Sequence, residues 1–255
     1  MRATVLGSGQ DGGLPQAGAT HQNDLAAREG LILERTASSV LVEHAGKRIL
    51  LDASPDFRIQ WWPFTSMPDT VVLTHGHMGH YTGLVHFGSE AGDPRGIECV
   101  GTPSMLQFLR SNAPWRQLFE VRNLVAGECA PIELIPVPHR ADYTDTVAIS
   151  VDSRLLYLPD IDAWDLWPEA TSVLAAHQVA LIDATFWSPT ELPARTGIPH
   201  PPVEDTIERF AGLATRIVLT HINHTNPICD PTSPESRLVM DAGFEVAYDG
   251  MIIDL

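Results

Sequence analysis

Three histidines, His75, His77 and His80, crowd into six positions of the stretch VVLTHGHMGH, directly behind an apolar run. In extended chain, residues two apart project to the same side, so His75 and His77 can grip one metal ion. His80 follows a turn through Gly79 and can approach from another direction, serving a neighbouring ion. Further ligand types close apolar runs elsewhere: His139 ends IPVPH, Asp160 ends LLYLPD and His221 ends IVLTH. A lone histidine is more often a structural or surface residue than a ligand. Five histidines and an aspartate, each just behind an apolar run, argue instead for a shared metal centre. Neutral imidazoles with a carboxylate suit Zn2+, one or two ions per chain, with Fe2+ and Mn2+ as alternatives that ligand softness does not separate.

Those residues need strands to carry them. Short β-branched runs bounded by turn residues recur, among them ATVLGSG, SSVLVEHAGKRILLDASP, TVVLTHG, TVAISVDSRLLYLPD and FEVAYDGMIIDL, which makes the protein strand-rich. Helices are expected over residues 102–115 after a Thr-Pro start signal, over 165–178 from apolar spacing, and over 201–214 behind Pro and acidic residues. Early strands pair as hairpins and helices separate later ones, so a layered α/β arrangement with mixed sheets is favoured over a doubly wound parallel fold. Residues 10–37 form a long connection that contains His21 and is a candidate loop over a site. VVLTHGHMGH at 71–80 and IVLTHINHTN at 217–226 echo each other; they aim two strand ends at one place and hint at two related halves.

The chain of 255 residues, with 44% hydrophobic and 19% charged residues, has ordinary globular composition and no seam, so one domain over 1–255 is expected. A formal charge of −16, from 32 acidic against 16 basic side chains, argues against nucleic-acid binding, which needs clustered Lys and Arg. No signal-like or membrane-length apolar segment occurs, which leads to a cytoplasmic location with no membrane partner. Cys99, Cys129 and Cys229 lie too far apart for a disulfide framework or zinc knuckle and read as reduced, with Cys229 in a small buried apolar role. GSGQDGG lacks the Lys-Ser/Thr end of a phosphate loop and reads as tight turning beside the site, and no G-x-S-x-G elbow occurs. Asp52 and Asp56 in DASPDFR either orient the site or form a turn before Pro55. The pairs Trp61 and Trp62, and Trp164 and Trp167, favour core packing over a pocket wall. His44, His86, His177 and His200 lack partners in sequence and read as structural or surface residues.

The chain resembles the metallo-β-lactamase fold hydrolases: His75, His77 and His80 match their HxHxDH motif, and His139, Asp160 and His221 match their later strand-end ligands. The resemblance covers nearly the whole chain. It implies an α/β fold, an αββα sandwich with two mixed β-sheets flanked by helices and the metals at the sheet edge between two halves. Within that superfamily the chain is most similar to the pyrroloquinoline quinone biosynthesis protein B branch, on VLGSGQDGGLPQ, DASPDFR, DATFW, HINHTNPICDPTSPE and VAYDGMIIDL.

Three departures from the pattern carry expectations. Gly79 stands where the superfamily usually has Asp, a second-site ligand, so the second ion is weak or absent, or another group substitutes. His224 stands where the branch more usually has Asn and is the candidate to repair that loss as ligand or general base, the alternative being a hydrogen bond to the turn backbone. Ala19, His21 and Asp24 take the places of the branch's N-terminal cysteines, so no structural zinc is expected there. The branch lacks most of the first histidine motif, whereas this chain keeps its three histidines.

The resulting expectation is a metal-dependent hydrolase acting on a small-molecule ester, lactone, amide or phosphodiester. His75, His77 and His139 would hold the first ion, Asp160 would bridge or cap, and His80 and His221, with His224, would form a second site. A bound ion lowers the pKa of water to about 7 and polarises a carbonyl or phosphoryl oxygen. A single carboxylate among the ligands offers little charge to two divalent ions and should weaken double occupancy. The rival is a non-haem iron oxygenase related to quinone cofactor biosynthesis, for which two His and Asp160 are the right ligand types. A metal-independent binding protein, by contrast, would tolerate alanine at all six ligand positions.

Overall fold

The computed structural model describes residues 1–127, 131–192 and 199–255. Strands β1 (Arg2–Gly7), β2 (Ser39–His44), β3 (Lys47–Leu51), β4 (Thr70–Val72), β5 (Ile97–Val100) and β6 (Leu124–Ala126) build a first sheet. Strands β7 (Ile132–Val137), β8 (Thr146–Val151), β9 (Leu155–Leu158), β10 (Val179–Asp183), β11 (Arg216–Thr220) and β12 (Glu245–Val246) build a second, and β13 (Ile252–Asp254) returns to flank β1. Each sheet opens antiparallel, β1 to β3 and β7 to β9, and continues parallel, β3 to β6 and β9 to β12. The β2–β3 hairpin turns on Ala45 and Gly46, both at positive φ (49° and 77°), the conformation a two-residue turn needs to match strand twist.

Side-chain alternation along the strands decides the layering. Val40, Val42, Ile49 and Leu51 face Ile149, Val151, Tyr157, Leu181 and Val218 between the sheets. Their neighbours Leu41 and Leu50 point the other way, onto Met105 and Leu109, while Ile182, Ile217 and Leu219 point to Leu174, Phe210 and Val239. A strand buried on both faces reads as continuous apolar sequence, and successive residues serve opposite faces. The outcome is helices, sheet, sheet, helices: the expected αββα sandwich.

The outer layers hold α1 (Gln22–Arg28), α2 (Phe57–Gln60), α3 (Met78–Tyr81), α4 (Pro103–Ser111), α5 (Ala113–Glu120), α6 (Ala170–Ala175), α7 (Val203–Phe210) and α8 (Pro234–Asp241). Thr102 caps α4 as its position before Pro103 suggests, but the expected helix over 102–115 divides at Asn112, whose backbone is extended. Pro114 has no N–H to continue the ladder to Arg110, so a new helix starts there. Pro168 similarly cuts the helix expected over 165–178 to a 3-10 turn at Trp164–Leu166 and the short α6. The helix expected over 201–214 is α7. Trp61, Trp164 and Trp167 are core residues, whereas Trp62 is exposed. Cys129 lies outside the described residues. Among the described residues no helix is long and apolar enough to cross a membrane.

The two sheets repeat one pattern of strand directions, yet the Leu-Thr-His echo does not follow it. His75 leaves β4, whose counterpart in the second sheet is β10; His221 leaves β11. The echo therefore records two turns converging on one place, not corresponding positions of a duplicated unit.

Candidate metal centre

The chemically active residues leave strands at one edge of the sandwich. Asp11 follows β1, Asp52 follows β3, His75 and His77 follow β4 and lead into α3 with His80, His139 follows β7, Asp160 follows β9, Asp183 ends β10 and His221 follows β11. Strand ends at a sheet edge leave room between departing connections, which is where such folds place ligands.

Four overlapping sets of ligand atoms lie there, each within 4.8 Å of one another: His75, His77 and His139; His75, His80 and Asp160; Asp11, His80 and His221; Asp160, His200 and His221. His75 Nε2 and His77 Nδ1 are 2.9 Å apart. Asp160 stands between the sets, with Oδ2 at 3.1 Å from His80 Nε2 and 3.5 Å from His221 Nε2, and Oδ1 at 3.6 Å from His139 Nε2. His80 Nε2, His139 Nε2, His221 Nε2 and Asp160 Oδ2 are all buried with no hydrogen-bond partner. Buried polar atoms are almost always satisfied, so this cluster of lone pairs aimed at common points is the donor set a divalent ion requires.

A further ring of contacts fixes which nitrogen faces inward. His80 Nδ1 meets Asp52 Oδ2 at 2.7 Å, His75 Nδ1 meets Thr74 Oγ1 at 3.0 Å and His221 Nδ1 meets Thr185 Oγ1 at 2.9 Å, while His139 Nδ1 lies near Asp162 without a hydrogen bond to it. His77 is reversed, with Nε2 on Asp142 at 3.2 Å and Nδ1 inward. Engaging the outer nitrogen sets the tautomer and presents the other lone pair to a metal. The two readings of DASPDFR thus separate: Asp52 orients the site from full burial at φ 56°, while Asp56 accepts the Ala37 N–H at 2.9 Å and ties a loop.

Charge in the cluster is unevenly held. Burial would raise the Asp160 carboxyl, but His221, His80 and His75 outweigh it and hold it well below the usual carboxylate range. Burial would lower His80, yet Asp160 and Asp52 raise it well above an ordinary histidine. Burial, reinforced by His80, holds His75 well below its ordinary value, and burial also lowers His139.

The structure brings together all six strand-end residues expected from sequence as ligands, His75, His77, His80, His139, Asp160 and His221, and places the seventh candidate elsewhere. His224 does not enter the cluster. Its Nδ1 is 2.8 Å from Asp24 Oδ2, and Asp24 also accepts the N–H groups of Gln16 (2.7 Å) and His21 (3.1 Å), while Asn23 Nδ2 donates to the His224 carbonyl at 2.9 Å. His21 caps α1. These bonds clasp the N-terminal loop to the turn after β11, at the place where the related branch has cysteines. His224→Ala should therefore leave metal content unchanged and cost about 1–3 kcal/mol of stability, read from denaturant melts. Burial would raise Asp24, but Gln16 and His224 hold it below its ordinary value. The clasp is then at full strength above the unfolded carboxyl value of about 3.9 and is lost as pH falls through the lower folded value. Melts of Asp24→Asn should lose that part of the acid dependence.

Two site residues escaped the sequence reading. His200, flanked by prolines and preceded by no apolar run, is buried with Nδ1 on Asp183 Oδ2 at 2.6 Å and 4.0 Å from Asp160 Oδ1. Burial would lower it, but Asp183 raises it. Asp11 lies in the glycine-rich turn, and its signal was position: an acidic residue just past a strand that ends at the metal edge. Cys229 is buried, its thiol pushed up to about 11 by burial, in keeping with an inert role.

A profile of the β-lactamase superfamily domain matches residues 47–222. The chain is 30% identical over 306 residues to coenzyme PQQ synthesis protein B of Azotobacter vinelandii, and 30% identical over 315 residues to that of Methylococcus capsulatus, covering 100% of both chains in each case. Among solved structures it is similar to Zn2+-bound PqqB from Methylobacterium extorquens, with TM-score 0.84, 24% identity and 100% of both chains covered. It is also similar to a diphosphatase from the PhnP family, with TM-score 0.76, 25% identity and coverage of 99% of this chain and 97% of that one. The chain belongs to the β-lactamase superfamily, as a metallo-β-lactamase-fold protein of the PqqB-like branch.

Proposed function

We propose that this protein is a metal-dependent hydrolase of small phosphorus esters, a phosphodiester or diphosphate, with Zn2+ or Mn2+ at two adjacent positions. The observation that carries the reading is the convergence of three unpartnered imidazole nitrogens and an Asp160 oxygen on the space between four ligand sets. An ion held there would supply Lewis acidity and lower the pKa of a water molecule. The chain itself does the rest. His75, His77, His139, Asp160, His80 and His221 position the charge. Arg140 lies on the rim, 4.0 Å from Asp142 and close enough to oppose protonation of His200, and offers a cation to an anionic substrate. His200, its Nδ1 engaged by Asp183, delivers a proton from the other ring nitrogen to the leaving oxygen as the phosphorus–oxygen bond breaks. The diphosphatase neighbour supports a phosphorus substrate over a carboxylic ester or lactone.

Elemental mass spectrometry of anaerobically purified protein, paired with hydrolysis of bis(p-nitrophenyl) phosphate, tests this. Zinc or manganese near two per chain with metal-dependent release of p-nitrophenol is the expected result. His75, His80 and Asp160 are also a two-His-one-carboxylate set, so iron near one per chain with oxygen uptake and no hydrolysis would overturn the proposal in favour of an oxygenase. His200→Asn should slow an alkyl phosphodiester by about 10²–10⁴-fold and the p-nitrophenyl diester far less, because p-nitrophenolate leaves without a proton. Equal losses on both substrates would remove His200 from that role.

A further inference from the structure

Gly79 sits on α3, one residue before His80, and a Cβ built on it would fall 2.0 Å from Oδ1 and 2.3 Å from Cγ of Asp11. The room a side chain at 79 would need is filled by a carboxylate arriving from another part of the chain. Gly79 is helical and is absent from the residues at positive φ, so its backbone does not call for glycine. What excludes a larger residue there is Asp11.

The position of Asp11 is built. Gln10 donates its N–H to the Ile222 carbonyl at 2.9 Å, next to His221, and the Gly13 N–H donates to the Gln10 carbonyl at 2.7 Å, closing a turn around Asp11 with Gly13 at φ 64°. Oδ1 then stands 3.4 Å from His80 Nε2 and 3.6 Å from His221 Nε2, two of the buried imidazole nitrogens that have no hydrogen-bond partner. Asp160 has a side chain 4% exposed, whereas that of Asp11 is 46% exposed, so Asp11 forms the solvent-facing lip of this set.

We infer that Asp11 is the carboxylate ligand of the second ion, with His80 and His221, and that Gly79 is small because Asp11 occupies its space. This rests on the metal-centre reading above. The turn GQDG thus contributes a ligand that the HxHxDH pattern ordinarily supplies from within the histidine motif. The ligand set carries two carboxylates instead of one, and double occupancy no longer lacks charge.

The test is a carboxylate transplant. Wild type, Asp11→Gly and the double variant Asp11→Gly with Gly79→Asp are stripped with chelator, reloaded with Zn2+, desalted, and their zinc counted by elemental mass spectrometry. Two, one and two ions per chain are expected, with the affinity for the second ion falling at least about tenfold in Asp11→Gly and recovering in the double variant. In metal-free melts, Gly79→Asp alone should be less stable than the double variant, because two carboxylates then contest one space. Asp11→Gly retaining two ions at wild-type affinity overturns the inference, as does a folded double variant that stays at one ion. A wild type that retains no zinc fails differently: it defeats the metal centre itself, and the Asp11 assignment with it.

Discussion

Asp160→Ala is expected to lower metal-dependent turnover at least about 10³-fold, equivalent to about 4 kcal/mol of transition-state stabilisation, and to remove at least one of the two ions. Asp160 belongs to two of the four ligand sets and lies within 4.0 Å of His80, His139, His200 and His221. His75, His80 and His221 also belong to two sets each, but among the described residues Asp160 is the one carboxylate that does, so its loss removes negative charge from both. Its deep depression below the usual carboxylate range reflects the same imidazoles, which in its absence retain only repulsion for one another. The fold should survive: with the carboxylate gone, His80 loses a main reason for being charged, and the pocket relaxes to neutral imidazoles rather than a buried unpaired charge. Steady-state rates, zinc content and a melting curve on one preparation check this. Turnover within tenfold of wild type with two ions bound would remove Asp160 from the ligand set.

The candidate ligands were legible in the sequence wherever the signal was local. His75, His77, His139, Asp160 and His221 each close an apolar run, and a strand end is the one place where a one-dimensional pattern also fixes direction in space. The sandwich was legible for a related reason: Val40-Leu41-Val42 and Ile49-Leu50-Leu51 are apolar at every position, which only strands covered on both faces tolerate. The residues that escaped depend on long-range placement. Asp11 meets His80 across sixty-nine positions of sequence, and no spacing rule links a glycine-rich turn to a vacancy at Gly79. His200 sits among prolines outside any strand. For His224, nearness to His221 in sequence is not nearness in space, because the turn after β11 carries its ring to Asp24. The helix boundaries before Pro114 and Pro168 show the same limit on a smaller scale, since apolar spacing continues through prolines whose missing N–H ends the helix.

Asp52→Asn is expected to weaken zinc binding about 10–100-fold although residue 52 contributes no ligand atom. Asp52 is fully buried; Oδ1 accepts the Thr74 N–H at 2.8 Å, both oxygens lie within 3.0 Å of Thr74 Oγ1, and Oδ2 accepts from His80 Nδ1 at 2.7 Å. An asparagine can keep its oxygen on Thr74, which then turns its amide N–H2 toward His80 Nδ1. Two donors cannot face each other at that distance. The imidazole must move its proton to Nε2, the atom that faces Asp160 and Asp11, and a protonated nitrogen has no lone pair for a metal. A pH signature separates this from simple loss of packing. In the metal-free wild type the His80 value is raised, so its contribution to stability is complete below the unfolded value of about 6.5 and is lost as pH rises through the folded one. Asp52→Asn removes part of that raising charge, and its metal-free stability should therefore fall less steeply with rising pH. Asp56→Asn, four residues away on a loop tie to Ala37, should leave both zinc affinity and this pH profile unchanged. If Asp52→Asn instead binds zinc as the wild type does, the tautomer of His80 is not set by Asp52, and the outer ring of contacts holds the fold rather than the metal.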